Sequence, residues 1–350
     1  MSLPTTSRNW RRTQDGKSIE LVSEKLPSTL GSKEVLLQIH AVSLNYRDIA
    51  MLDGSYPMNV IDRGVPCSDA SATVVAVGSS VETFKKGDRV APSFTHGFVT
   101  GQEKRAKSKS LGGDLDGVLR EYAIYEHQFL TKAPDYLSHN EISTIACAGV
   151  TAWTSLDMEN PISTAEYALM QGTGGVSIFA ALICVAAGIT PIVTSSSDEK
   201  LEQIKALGTE NTPVLGINYR THKDWAGEAR RLTNEGGVDI VVNNIGINAM
   251  QESIDALCLR GGIVSVVGFL GGIPEMVKDF IMPAMFKTAT IKAIGVGSTK
   301  DQQDLCNFLA KHKIDLEPLV DKVFEFEDAQ AAFKHLSSGA HVGKIVIKVR

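Results

Sequence analysis

The chain has 350 residues, which at about 150 per domain allows roughly two domains. Hydrophobic residues make up 43% and charged residues 21%, the balance of a globular protein, so a disordered or fibrous chain is excluded. Thirty-five basic against 40 acidic residues leave a formal charge of −5, which argues against nucleic acid or an anionic membrane as the main partner.

Taken in chain order, Met1–Gln14 is free of acids, carries Arg8, Arg11 and Arg12, and has no apolar core. It reads as the polar start of a cytoplasmic protein, with a weak likeness to an organelle transit segment and none to a secretory signal. From residue 17 to about 135 the pattern is short strands between turns. Glu34–Val42 alternates with period two, Ala70–Val77 is followed by Gly78-Ser79-Ser80, and Asp88–Ala91 follows the Lys86-Gly87 turn. This predicts an irregular β domain. Within it Gly97–Gly117, with Lys104, Arg105, Lys107 and Lys109, reads either as a solvated mobile loop or as a segment shaping a substrate entrance.

From about Ala165 the rhythm changes. Strands are predicted at Tyr167–Gln171, Thr190–Ser195, Pro213–Asn218, Val238–Asn243, Ile263–Val267 and Thr290–Val296. The helices between them are Val176–Ala187, Asp198–Leu207, Trp225–Thr233, Ala249–Cys258 and Val277–Phe286. This alternation predicts an α/β domain with a doubly wound, parallel, six-stranded sheet. The longest apolar run, Ile178–Ile189, is too short to cross a bilayer, which takes about 20 residues. The tail breaks the alternation: Asp301–His312 and Glu327–Ser337 are helical, and Val323–Phe326 and Lys344–Lys348 are strands, which returns the chain to the first domain. The five cysteines, Cys67, Cys147, Cys184, Cys258 and Cys306, are odd in number and widely spaced, so neither a disulfide framework nor a thiolate zinc knuckle is expected. Cys147, Cys184 and Cys258 read as small core fillers.

One motif carries chemistry. Gly172-Thr173-Gly174-Gly175-Val176-Ser177 lies between the first strand of the second half and its first helix, the setting of a dinucleotide turn. Gly172 permits the tight turn, Gly174 lets backbone approach a pyrophosphate, and the helix start offers N–H groups and a positive dipole end. The second strand ends Thr194-Ser195-Ser196-Ser197, and the first acid, Asp198, comes late for a ribose 2′-OH. Hydroxyls with Lys200 nearby suit a 2′-phosphate, so NADP(H) is expected over NAD(H). Ser196-Ser197-Asp198-Glu199 fits a helix cap equally well, and both readings hold together.

Further segments resemble a known family: Asn45-Tyr46-Arg47-Asp48, Gly87-Asp88-Arg89-Val90, Ala148–Trp153, Ile217-Asn218-Tyr219-Arg220 and Gly343-Lys344-Ile345-Val346. With the glycine turn they make the chain similar to the medium-chain dehydrogenase/reductase superfamily, in its zinc-free alcohol dehydrogenase and quinone oxidoreductase-like branch. The resemblance implies a GroES-like β-barrel catalytic domain over 1–148, a Rossmann NADP-binding domain over 149–298, and a return to the catalytic domain over 299–350. It implies a homodimer formed by edge pairing near Thr290–Val296. Zinc-dependent relatives place Cys at Asn45 and His at Ser68. Cys147 alone does not make a three-ligand site, and Ser93–Leu119 lacks the cysteines of a structural lobe, so no metal is expected.

By position, the resemblance puts Thr151 near the nicotinamide side and Gly172, Thr173, Gly174, Gly175 and Val176 at the pyrophosphate. It puts Ser195, Ser196, Lys200 and Tyr219 around the 2′-phosphate, and Val267, Gly268, Phe269, Gly295 and Val296 at the nicotinamide and its ribose. Asn45, Asp48 and Tyr56 match polar catalytic positions; Asp48 also suits a helix cap and Tyr56 a turn before Pro57. The expected function is hydride transfer between NADP(H) and a small carbonyl or alcohol, quinone or enone. The alternative is a non-catalytic NADPH-binding sensor or interaction protein. A short-chain dehydrogenase is disfavoured, because Tyr219/Lys223 precede Asn243–Gly246 and the glycine turn lies far from the start.

Overall fold

A computed structural model describes residues 3–158, 165–272 and 280–350. They form two compact units, Met1–Val150 with Gly297–Arg350, and Thr151–Val296.

The first unit opens on an antiparallel hairpin, β1 (Thr6–Arg12) and β2 (Ile19–Lys25), with Thr6 opposite Lys25 and Arg12 opposite Ile19. The sequence pattern placed no strand before residue 17, so β1 is an addition to that reading. Trp10 is buried and its Nε1 donates to Phe326 O (2.9 Å), Arg11 pairs with Glu24 and Asp116, and the buried Arg12 guanidinium donates to Gly112 O. Then come β3 (Glu34–Ser43), α1 (Tyr46–Asp53), β4 (Asp69–Val77) and β5 (Arg89–Pro92). A short pair, β6 (Thr95–His96) with β7 (Lys109–Ser110), is followed by β8 (Tyr122–Glu126), β9 (Leu130–Lys132) and α2 (His139–Ile142). A π-type turn over Ile145–Gly149, closed by Gly149 N to Thr144 O (3.2 Å), leads into α3 (Val150–Ser155).

The period-two pattern of β3 explains its place in the core. Val35, Leu37 and Ile39 are buried in the apolar cluster; the register then shifts between Ile39 and Ala41, and Val42 and Leu44 continue on the same cluster. Each such side chain contributes about 1.5–3 kcal/mol on burial. Residues 97–117 are held at both ends, while Lys104, Arg105, Lys107 and Lys109 between them are exposed, as a solvated loop requires. Phe98 O and Val99 O accept from Thr299 N and Lys300 N, Leu111 is fully buried, and Gly117 N donates to Val65 O (2.7 Å).

The second unit runs β10 (Tyr167–Gln171), α4 (Gly175–Ala187), β11 (Thr190–Ser195), α5 (Asp198–Lys205), β12 (Leu215–Asn218) and α6 (Trp225–Leu232). It continues with β13 (Ile240–Asn243), α7 (Met250–Ala256), β14 (Ile263–Val266), α8 (Ile281–Phe286) and β15 (Thr290–Ala293). All the pairs are parallel, in the order β12-β11-β10-β13-β14-β15. The chain therefore winds one way from β10 and the other way from β13, and the strand order reverses between those two, where α/β sheets bind ligands beyond the strand ends. Every residue of α4 from Ser177 to Cys184 is buried, so this helix needs no polar face.

One expectation of this unit changes and one falls partly outside the described residues. The strand expected over Thr290–Val296 stops at Ala293, and Val296 takes a left-handed conformation (φ +65°) that ends extended pairing. Of the helix expected over Val277–Phe286, Val277 to Asp279 lie outside the described residues.

The tail consists of α9 (Thr299–His312), β16 (Val320–Glu325), α10 (Ala329–Ser337) and β17 (Lys344–Lys348). β17 joins the first unit's sheet, ordered β16-β17-β3-β4-β5-β9 with β8 also on β3. All five cysteines are free. Cys67, Cys184 and Cys306 are buried, but Cys147 and Cys258 are only partly so; Cys258 lies beyond α7 with its thiol directed at Arg260 O, which corrects its reading as a core filler. Among the described residues no helix is long and apolar enough to cross a membrane.

Candidate functional site

In the second unit the glycine turn sits at the carboxyl end of β10, beside the reversal point. Gly172 has φ +84°, a conformation that side chains disfavour, and its N–H donates to Thr194 O (3.0 Å). Gly174 is the N-cap of α4 and supplies no capping side chain. A Cβ at Gly172 or Gly174 would meet nothing within 4 Å. The first N–H groups of α4 thus lack intrahelical partners beside open space, which is what a pyrophosphate requires.

Ser177, in the place of a third glycine, locks helix to strand. Its Oγ donates to Gln171 O (3.1 Å), and Asn244 Nδ2 donates to both Gln171 O (2.9 Å) and Ser177 Oγ (3.0 Å). Sequence reasoning noticed Asn243–Gly246 only as a motif of another family. The signal for its actual place was an Asn pair directly after the fourth strand of the wound sheet. Val267 N and Gly268 N donate to Asn243 O, which sets Val267, Gly268 and Phe269 at the same strand ends. At the end of the sixth strand, Thr154 Oγ donates to the strained Val296 O (2.6 Å) and to Thr151 O (3.2 Å), and Lys292 Nζ binds Asp157 (2.7 Å). Thr151 itself is buried in α3.

At the end of β11, Ser195 is buried and its Oγ accepts from Ser197 N (3.2 Å), so its hydroxyl shapes the turn. Ser197 caps α5, its Oγ accepting from Lys200 N (3.3 Å). Ser196 lies partly exposed between them, and Tyr219 is 42% exposed just beyond β12. Asp198 Oδ1 accepts from Asn218 Nδ2 (2.7 Å).

The first unit gathers polar groups from four distant stretches. Asn45 caps α1, and its N–H donates to Asp48 Oδ2 (2.8 Å) while Asp48 N donates to Asn45 O. Asp48 therefore serves as a capping carboxylate, fully buried, with its carboxyl held above the usual range by desolvation against the pull of Arg47. Asp69 is also fully buried; burial raises its carboxyl too, and Lys344 opposes the rise.

Lys344, only 3% exposed, directs Nζ to Leu44 O (2.5 Å), Asn45 Oδ1 (2.6 Å) and Asp69 Oδ2 (3.8 Å). Because an ammonium can only donate, it fixes which end of the Asn45 amide is oxygen. Asn45 Nδ2 completes no hydrogen bond of normal geometry, though Asp69 lies close enough to feel it. Burial pushes the Cys147 thiol up to about 12, so it is no thiolate at neutral pH.

Tyr56 joins this region through Arg47. The buried guanidinium donates from Nε to Tyr56 Oη (3.4 Å), lies over the Tyr56 and Phe94 rings (5.3 and 4.6 Å), and holds Leu111 O and Ser110 Oγ. Lys344 and Arg47 belong to motifs already quoted from the sequence, yet their polar roles depend on contacts that the spacing does not reveal.

Comparison with known proteins agrees with this architecture. The family model for the alcohol dehydrogenase GroES-like domain matches residues 31–135, and that for zinc-binding dehydrogenase matches residues 213–347. A zinc-type alcohol dehydrogenase-like protein of Schizosaccharomyces pombe is 37% identical over 93% of each chain. An alcohol dehydrogenase of Geobacillus stearothermophilus is 27% identical, covering 95% of this chain and 96% of its own. Among solved structures, one of the alcohol dehydrogenase kind from Sinorhizobium meliloti 1021 superposes with a TM-score of 0.88 at 32% identity, covering 99% of this chain and all of its own. The chain belongs to the medium-chain dehydrogenase/reductase superfamily, with a GroES-like domain and a Rossmann domain. It is an oxidoreductase of the alcohol dehydrogenase kind, from a superfamily that binds a nicotinamide cofactor.

Proposed function

We propose that this chain is a zinc-independent, NADP(H)-dependent oxidoreductase acting on a small carbonyl or alcohol, a quinone or an enone. The observation that carries the reading is the bare start of α4 at the reversal point, flanked at the end of β11 by hydroxyls and Lys200 rather than by an unengaged carboxylate. When bound, the nicotinamide supplies or accepts the hydride.

The residues of the chain do the rest. Backbone N–H groups of Gly174, Gly175 and Val176 hold the pyrophosphate, and Ser196, Lys200 and Tyr219 receive the 2′-phosphate. Asn45 donates from Nδ2 to the oxygen on which charge develops, and Lys344 holds the amide in that orientation. Tyr56 accepts from Arg47, which leaves its phenolic proton to donate. Asp48 keeps its place as the cap of α1.

Zinc independence is supported by the donor set. At the polar cluster an amide, a serine and a protonated thiol stand with a lysine ammonium already on Asn45 and Asp69, an arrangement that repels a second cation. Among the described residues no three or more His, Cys, Asp or Glu side chains are grouped to hold a metal ion.

The same reading includes a homodimer. β15 is the last strand of its sheet, and α8, the helix that precedes it in the chain, has Met282, Met285 and Phe286 exposed, Phe286 at 76%. Five free cysteines suit a reducing, cytoplasmic setting.

The test is NADPH oxidation with an aldehyde, a quinone and an enone, with and without a chelator, alongside the mass of the assembly in solution. Turnover that survives chelation supports the reading. Strict dependence on zinc overturns the metal-free mechanism, and tight NADPH binding with no turnover on any acceptor assigns the chain to the binding proteins instead.

A further inference from the structure

The end of β12 carries a network that none of the cofactor positions explains. Ser195 and Asn218 are register partners at the last rung between β11 and β12, so the Asn218 side chain lies alongside the Ser195–Ser197 turn. Asn218 is only 8% exposed. Its Nδ2 donates to Asp198 Oδ1 (2.7 Å), and its Oδ1 accepts from Arg220 N (2.9 Å). Its backbone oxygen accepts from Thr221 Oγ (3.1 Å) and His222 N (2.8 Å), while Tyr219 N donates to Ser195 O (3.0 Å). The amide orientation is dictated by chemistry: a backbone N–H can face only its oxygen, and a carboxylate only its NH2.

Asp198 is the first residue of α5 and is exposed, so its negative charge borders the place where an adenine ribose meets the end of the second strand. A carboxylate free to turn there accepts the 2′-OH of NAD(H) and repels the 2′-phosphate of NADP(H). A carboxylate with one oxygen tied to β12 is kept from turning toward that position, which weakens both effects. We propose that Asn218 is a positioning residue for cofactor choice, tethering Asp198 away from the 2′ position and fixing the turn that presents Tyr219 and Arg220. This rests on the NADP(H) reading above and adds the residue that enforces it.

The test measures binding of NADPH and of NADH by calorimetry to the full chain and to Asn218→Ala, Asp198→Ala and the double variant. Asn218→Ala is expected to lower the ratio of NADPH to NADH affinity about tenfold, the effect of one unfavourable charge contact of roughly 1.4 kcal/mol. Asp198→Ala is expected to keep or raise that ratio, and the double variant to recover most of the loss. Asn218→Ser keeps an acceptor for Arg220 N–H but is too short to hold Asp198, so it separates tether from turn and is expected to repeat the Asn218→Ala shift. Equal weakening of both cofactors by Asn218→Ala, or a double variant no better than Asn218→Ala alone, overturns the proposal. A wild-type chain that prefers NADH overturns the NADP(H) reading itself, whereas a wild-type preference for NADPH that Asn218→Ala leaves unchanged overturns only the role given to Asn218.

Discussion

In the second unit the glycine turn is defined by what is missing. Gly174 brings no side chain to cap α4, and the space a Cβ would take is open. In the first unit the polar cluster works through crowding. Asp48, Asp69 and Lys344 are buried together around Asn45, and their charges stand only because each is answered. The difference teaches which kind of site tolerates which kind of change. An empty site is ruined by an added atom and leaves the fold intact, whereas a crowded site is ruined by a removed atom and takes the fold with it.

The comparison can be broken most forcefully at Lys344. Lys344→Met leaves a buried carboxylate without its counter-charge, which costs about 3–5 kcal/mol. At roughly 2–4 °C per kcal/mol the melting temperature is expected to fall by about 10 °C. A melt within about 2 °C of wild type would show that the ammonium is dispensable to the cluster.

Asn45→Ala, which spares both charges, is expected to lower kcat about 10²–10³-fold, the usual cost of removing one oxyanion donor. The KM for NADPH should stay unchanged in steady-state kinetics. A kcat equal to wild type would take Asn45 out of the chemistry.

Gly174→Asp tests the opposite logic. The new side chain has room, so thermal stability should hold, yet its carboxylate lies where the proposed site takes a pyrophosphate. NADPH affinity is expected to fall at least about 100-fold, or ~2.7 kcal/mol, by calorimetry. Loss of stability along with affinity would mean that the space is not free.

The smallest expected effect concerns a second crowded place in the first unit. His40 and His139 stack with ring centroids 4.0 Å apart, and Ser71 Oγ lies 2.6 Å from His139 Nδ1. Burial holds both imidazoles below their ordinary range, His139 at about 4, with nearby Arg89 acting in the same direction. Folding therefore favours the neutral rings. Their contribution is complete above the unfolded value near 6.5 and is lost as pH falls toward about 4. Because both rings are half exposed the effect is about 1 kcal/mol after screening. His139→Gln should flatten that part of a stability–pH profile measured by urea unfolding, and an unchanged slope would remove the pair as its source.

The same contrast explains what was legible in the sequence. Gly172–Ser177 is contiguous and sits between a strand and a helix, so its conformation and its place at the strand end can be read locally. The alternation of strands and helices from Tyr167 onward likewise rests on local periodicity. The polar cluster joins residues near 45, 69, 147 and 344, and no local pattern states that Lys344 will lie on Asn45. Asn45, Asp48 and Tyr56 were found by resemblance, but Arg47 and Lys344, which orient them, were not. The hairpin of β1 and β2 was missed for a related reason: polar Ser7, Asn9 and Arg12 are buried beside Trp10, so burial does not follow hydrophobicity, and the partners of Arg8 and Arg11, Glu24, Asp116 and Glu121, lie elsewhere in the chain.

The position of β17 has a consequence for how the molecule is made. This strand lies inside its sheet, bonded to β16 on one side and β3 on the other, so that Ser43 waits for Val346. Pairing at such sequence separation is slow, and it is impossible until β17 has been made. The inserted unit is built from strands that emerge consecutively, so its closure does not wait for β17. A nascent chain that has not reached Lys344 therefore holds every strand of that unit while β3 is still partly unpaired. A strand made after the whole inserted unit is thus the one that seals the edge β3 leaves open.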